Sequence, residues 1–208
     1  MNTRPLLAVI AISAAGMAAP ALAADSNFYM VAGIGRSSID VDPNSINFFA
    51  TANGLASSVT VPSSNSFGWK LQLGFQFNKY VALEGGYEGL GKASYFNINN
   101  VYTAQGEKRA ALVNLDLVGK FPLGDSFSLL GRLGMFEWET RSDLPTAVSL
   151  IGKTENGFDW KFGAGVQYDF TNAFSLRGEF ERFNGVGKPQ TAGDSKVNLF
   201  TLGAVLKF

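Results

Sequence analysis

Between Phe67 and Phe77 every odd position is Phe, Trp or Leu, and every even position is Gly, Lys or Gln. A period of two without a fault predicts a β-strand with one oily face and one polar or small face, because successive side chains leave a strand on opposite sides. After Asn78-Lys79-Tyr80, the stretch Val81-Ala82-Leu83-Glu84-Gly85-Gly86-Tyr87-Glu88 returns with the same alternation. A soluble sandwich rarely sets an unbroken aromatic and leucine row against Lys, Glu and Gln. A transmembrane barrel requires that arrangement, with hydrocarbon outside and polar filling inside.

The pattern recurs along the chain. Phe28, Met30, Ala32 and Ile34 oppose Tyr29, Val31, Gly33 and Gly35 in a first strand over 27–37. Over 111–121, Val113, Leu115, Leu117, Gly119 and Phe121 face out, and Asn114, Asp116, Val118 and Lys120 face in. The next strand, from Phe127, sets Leu129, Leu133 and Met135 outward and Arg132 and Gly134 inward. Its phase then breaks: Glu137 and Glu139 fall on the lipid face, Phe136 and Trp138 inside, so either a bulge re-aims the strand or it has left the membrane. Asp159–Phe170, Phe174–Glu181 and the stretch ending at Phe208 complete eight strands. Polar, Gly- and Asn-rich connections over 38–65, 89–106, 141–156 and 184–195 read as loops, and 78–80, 122–126 and 171–173 as tight turns. The predicted fold is all-β: an eight-stranded antiparallel up-and-down transmembrane β-barrel with short periplasmic turns and long extracellular loops. The aromatics sort the same way. Phe28, Phe77, Tyr80, Phe121, Phe127, Tyr168, Phe170, Phe174 and Phe208 lie at short-turn ends, and Phe67, Trp69, Tyr87, Trp160 and Phe180 near long-loop ends. Two such girdles mark the two membrane interfaces.

Arg4, an apolar or small run from Pro5 to Pro20 and the A-x-A site Ala21-Leu22-Ala23 predict a secretory signal peptide over 1–23, leaving 24–208 as the barrel domain. Lys plus Arg and Asp plus Glu are each 17, and loss of Arg4 leaves 16 against 17, which predicts no nucleic-acid partner. The chain has no histidine and no cysteine. That removes Ser-His-Asp hydrolysis, thiolate chemistry and His or Cys metal sites, so neither an enzyme nor a cofactor is expected. Asp40-Val41-Asp42-Pro43-Asn44 reads as a solvated acidic loop rather than a calcium site, because the glycine and distal glutamate of an EF-hand are missing.

The informative polar residues are the charges that alternation turns inward: Lys70, Glu84, Glu88, Asp116, Arg132, Gln167, Arg177 and Glu179. Buried charges need partners. Setting Phe77 against Val81 places Lys70 opposite Glu88. Setting Phe121 against Phe127 places Asp116 opposite Arg132, and Phe170 against Phe174 places Gln167 opposite Arg177. Glu84 and Arg177 each lie three residues above the first outward residue after a turn, on strands four apart in a ring of eight. An ion pair across the narrow bore is therefore expected, with Gln167 as neighbour. A plug of satisfied ion pairs is the favoured reading and a polar path the alternative.

Phe28-Tyr29-Met30-Val31-Ala32-Gly33-Ile34-Gly35, Asn78-Lys79-Tyr80-Val81-Ala82-Leu83-Glu84-Gly85-Gly86-Tyr87, Phe162-Gly163-Ala164-Gly165-Val166-Gln167-Tyr168, Leu176-Arg177-Gly178-Glu179-Phe180 and Leu206-Lys207-Phe208 resemble the OmpA-like transmembrane domain among small outer-membrane β-barrels. The resemblance covers nearly all of 24–208. It implies outer-membrane localisation, contact with outer-membrane lipid and lipopolysaccharide, and a terminal Phe208 read by the outer-membrane insertion machinery. The family's frequent peptidoglycan-binding domain is not matched. It also implies a gate, in which the matching Glu and Arg are switchable; here Val118 stands where that gate has a Lys and Gln167 where it has a Glu, so a fixed Glu84–Arg177 plug is expected. The function expected on these grounds is structural and surface-interacting: four displayed loops, envelope support and a surface ligand, with a narrow porin-like channel as the alternative.

Overall fold

The computed structural model describes residues 27–40, 58–60, 64–98, 103–145, 150–186 and 195–208. The expected signal segment over 1–23 lies outside the described residues, as do 41–44 of the acidic stretch. The strands are β1 (Phe28–Asp40), β2 (Ser58–Thr60), β3 (Ser64–Asn78), β4 (Val81–Ile98), β5 (Thr103–Pro122), β6 (Phe127–Pro145), β7 (Leu150–Asp169), β8 (Phe174–Val186) and β9 (Ser195–Lys207). Their order is β4-β3-β1-β9-β8-β7-β6-β5, and β5 pairs back onto β4, which closes an antiparallel barrel of eight strands. The short β2 adds only to the far tip of β4, with Ser58 opposite Ile98.

The faces follow the alternation. Leu73, Leu117, Leu133 and Phe162 are exposed on the outside, whereas Lys70, Gln72, Glu84 and Asp116 are buried within. In water such an outside would be an aggregation surface; in hydrocarbon it is the solvated one. Every residue placed in the short-turn girdle is exposed outward, from Phe28 to Phe208. Leu73, at 58% exposure in mid-strand, gives a direct test. Leu73→Arg is expected to cost ~2–4 kcal/mol in a reversible folding assay in lipid, and Gln72→Arg, which adds its charge among carboxylates, much less. Equal costs would mean that the faces are reversed.

The strands run further than polarity suggests. The segments 89–106 and 141–156, read as loops, are largely ladder: Ile98 pairs with Thr103, Glu107 with Asp143 and Pro145 with Leu150. Above the lipid there is no hydrocarbon to impose an oily face, yet backbone N–H and C=O groups still pair, so the strands outlast their alternation. Nor does a bulge re-aim β6. Its pairing is continuous from Asp143 down to Ser128 against β5 and from Pro145 down to Phe127 against β7. Phe136 and Trp138 point inward and are 1% and 2% exposed. Glu137 and Glu139 thus continue the outer face of an unbroken strand.

One hairpin is shifted from its expected register. Phe121 lies opposite Leu129, not Phe127, so Val118 opposes Arg132 and Asp116 opposes Gly134. Pro122 stays in the ladder opposite Ser128, and Leu123 N–H donates to Phe127 O at 2.7 Å. The turn is therefore only Gly124-Asp125-Ser126, tightened by Gly124 at φ +113°, a conformation that favours glycine. The other two hairpins keep the expected pairs, Lys70 with Glu88 and Gln167 with Arg177, but at the first turn Val81 opposes Asn78 rather than Phe77, because the register shifts between Gln76 and Asn78. A real bulge sits in β4: the register jumps between Gly89 and Gly91, and Gly91 takes φ +77°. It delivers Leu90 into the bore fully buried, with the Leu90 carbonyl accepting from Ser37 Oγ at 2.5 Å.

Candidate functional site

The bore is filled in layers. On the short-turn side Tyr29, Val31, Ala82, Val118, Leu130 and Val205 form an apolar cluster. On the long-loop side Leu90, Leu112, Phe136, Trp138, Phe183, Val197 and Leu199 form a second one. Phe136 and Phe183 meet edge to face with centroids 5.3 Å apart. Between these layers lies a knot of buried charges: Lys70, Arg132, Lys161 and Arg177 with Glu84, Glu88, Asp116, Glu179 and Glu181.

Arg177 of β8 reaches Glu84 of β4, on the opposite wall, at 2.5 Å. Gln167 Oε1 accepts from Arg177 Nε at 3.0 Å and Nη2 at 2.9 Å, and Tyr29 Oη donates to Glu84 at 2.7 Å. Glu84 nevertheless has a second cation. Arg132 Nη2 sits 2.5 Å from its other oxygen. Each oxygen of Glu84 thus meets a cation, the second of them from Arg132, the cross-strand neighbour of Val118. Arg132 is the hub: it also meets Glu179 at 2.7 Å, Asp116 at 3.0 Å and Glu181 at 3.3 Å. Asp116 and Arg132 are thus in contact, but diagonally rather than in register.

Lys70 and Glu88 are in register, yet their charges go elsewhere. Lys70 pairs with Glu179 and, at 2.7 Å, with Glu181, across the bore on β8. Glu88 takes Lys161 Nζ at 2.6 Å. Long side chains in a narrow lumen meet partners on facing walls as readily as on the neighbouring strand. Two members of the knot, Lys161 and Glu181, were not among the residues singled out from sequence. Alternation turns both inward, but neither falls opposite a complementary charge in a hairpin: Lys161 opposes Phe183 and Glu181 opposes Gly163.

Glu88, Asp116 and Glu181 bring carboxylate oxygens within 4.8 Å of one another, a donor set that could hold a cation. That place is held by the Lys161 ammonium, 2.6 Å from Glu88, 3.0 Å from Asp116 and 2.6 Å from Glu181. Asn114 and Gln72 amides donate to Glu88 and Asp116 as well, at 2.7–3.2 Å. At the short-turn mouth Lys120 and Lys207 share Asp169, at 3.3 and 3.0 Å. Chemically, the arrangement pairs charge across the bore, four cations against five acids. It holds neither a nucleophile with a base nor an open coordination position.

The family model described as outer membrane protein beta-barrel domain matches residues 7–208. Outer membrane protein A of Shigella flexneri is 32% identical over 140 residues, covering 65% of this chain and 38% of that protein. Outer membrane protein A of Escherichia coli O157:H7 is 31% identical over 205 residues, covering 96% of this chain and 53% of that protein. The chain thus spans about half or less of the length of these relatives. Among solved structures, Ail, the attachment invasion locus protein of Yersinia pestis, aligns with a TM-score of 0.54 at 17% identity, over 89% of this chain and 100% of that one. Neisserial surface protein A aligns with a TM-score of 0.57 at 15% identity, over 88% and 98%. Likeness at such identity speaks for the fold alone. With the closed barrel and the match over 7–208 together, the chain belongs to the outer-membrane β-barrel domain family and resides in the outer membrane.

Proposed function

We propose that this outer-membrane barrel is a non-enzymatic, closed scaffold that supports the envelope and presents its long-loop end to the outside, where it contacts lipopolysaccharide and a surface ligand. The observation that carries this reading is the filled bore. Charged side chains from facing walls interlock at its centre, and apolar layers lie on both sides. An eight-stranded barrel is just wide enough for such filling. The absence of His and Cys from the sequence argues against catalysis by the routes those residues serve. The working surface is then the rim and loops, where binding residues concentrate on rigid scaffolds.

The orientation is open to a direct test. Single cysteines at Pro43, Asn99, Pro145 or Pro189 are expected to react with an impermeant thiol reagent in intact cells, and cysteines at Lys79, Gly124 or Asn172 only after the envelope is opened. The chain's lack of native cysteine makes each label unambiguous. Labelling of the turns but not the loops in intact cells would invert the proposal.

A further inference from the structure

The outer face carries two arginines at a height where the rest of the barrel is uncharged. Counting from each strand's own aromatic or apolar residue at the short-turn end gives comparable heights. Arg36 lies eight residues along from Phe28 (36 − 28), Arg182 eight from Phe174 (182 − 174), and Asn198 eight from Leu206 (206 − 198). At the same count the other strands carry Trp69, Gly89, Val113, Met135 and Phe162. Eight residues of a strand tilted ~35–45° climb roughly 20 Å, near the top of an apolar band ~25 Å tall. Arg36 stands in register between Phe200 and Phe67, both more than half exposed to lipid. Arg182 is the register partner of Asn198, and its Nη1 donates to Asn198 Oδ1 at 3.4 Å. Lys196, also exposed, stands two residues above Asn198 on β9.

An arginine facing lipid snorkels to the headgroups and needs an anion there. Among the described residues, neither Arg36, Arg182 nor Lys196 has a carboxylate within ion-pair distance. Asp40 stands in register with Lys196; with it counted, three cations and one anion leave the patch at +2. We propose that Arg36 and Arg182, flanking Asn198 with Lys196 above, form a docking site on the outside of β8, β9 and β1 for the phosphate groups of lipopolysaccharide. Planar guanidinium forks bind phosphate in two-point fashion, and two of them, separated by the width of β9, can grip one phosphorylated headgroup. This site rests on the proposed orientation, which puts this rim in the outer leaflet.

The test uses the folded barrel in detergent, with bound lipid counted by native mass spectrometry. The probes are lipid A, the same lipid A after phosphatase treatment, and phosphatidylglycerol. Wild type is expected to prefer phosphorylated lipid A over both others. R36Q/R182Q is expected to lose roughly 10- to 30-fold in affinity for it. R36K/R182K, which keeps the charge but not the two-point fork, should fall between the two, and E137Q/E139Q, on β6 three strands from β9, should keep all of the preference. The heat-dependent gel shift of folded barrels verifies that each variant is folded. Equal binding of lipid A with and without phosphate, equal binding of phosphatidylglycerol, or an unchanged R36Q/R182Q overturns the site. Because this assay has no inside or outside, its failure is distinct from failure of the orientation test. Cysteine labelling that inverts the barrel would remove lipopolysaccharide as occupant even if the phosphate preference held.

Discussion

Arg132→Met is expected to destabilise the folded barrel by at least ~3–5 kcal/mol, the cost typical of removing one partner from a buried ion pair. The upper end is expected because Arg132 serves four carboxylates, those of Glu84, Asp116, Glu179 and Glu181. The knot already holds four cations against five acids. Loss of Arg132 leaves three against five in a medium where an unpaired charge is costly. Arg177→Met should cost less. Glu84 then still has Arg132 and the Tyr29 hydroxyl, while Gln167 is neutral. If charge is the cause, Asp116→Asn introduced into Arg132→Met should recover part of the loss, although Asp116→Asn alone destabilises. Equilibrium unfolding by urea in lipid vesicles, followed by tryptophan fluorescence, measures these four variants against wild type. An Arg132→Met variant no less stable than Arg177→Met would remove Arg132 from the centre of the network.

How much of this was legible in the sequence depends on what enforces each feature. Hydrocarbon enforces alternation, so the facing of Leu73, Leu117 or Phe162, the number of crossings and the closed fold could be read from the period alone. Where lipid ends, that constraint ends, and the upper parts of β4 to β7 looked like loops although their ladders persist. Hairpin register needed the turn itself. Aromatic matching was right for Phe170 and Phe174, whose three-residue turn is marked by a Thr171 hydroxyl accepting from Phe174 N–H at 3.0 Å. It was wrong for Phe121, because Pro122, read as the start of a turn, remains the last residue of β5. Facing walls are invisible to pairwise matching altogether. The Glu84–Arg177 contact came from comparing heights on opposite strands; the same comparison sets Glu181 level with Glu88, another acid, and Lys161 level with Gly68, so it could not find the partners of either. The inward Phe136 and Trp138 looked like a loss of phase only because an oily residue was assumed to face lipid.

That inward apolar layer changes what is expected of the bore. Glu84→Ala alone should not make a channel. Above the charged knot stand Leu90, Leu112, Phe136, Trp138, Phe183, Val197 and Leu199, each no more than 2% exposed. A constriction lined this way excludes water and ions by dewetting, independently of any charge below it. Conversely, Phe136→Ala with Trp138→Ala removes much of the oily layer but leaves Arg132, Lys161 and their carboxylates interlocked beneath. In planar bilayers, wild type, Glu84→Ala and the double aromatic variant are each expected to be silent, and the triple variant to pass a steady current. Loss of Glu84 leaves four cations, those of Lys70, Arg132, Lys161 and Arg177, against four acids, those of Glu88, Asp116, Glu179 and Glu181, so the current should discriminate little between cations and anions. Each large-to-small aromatic change is expected to cost ~3–5 kcal/mol, so folded protein must first be verified by its gel shift. Stable current through wild type would mean that the barrel is a narrow pore. Current through Glu84→Ala alone would mean that the charged knot is the only closure and that the aromatic layer merely packs the outer half of the bore.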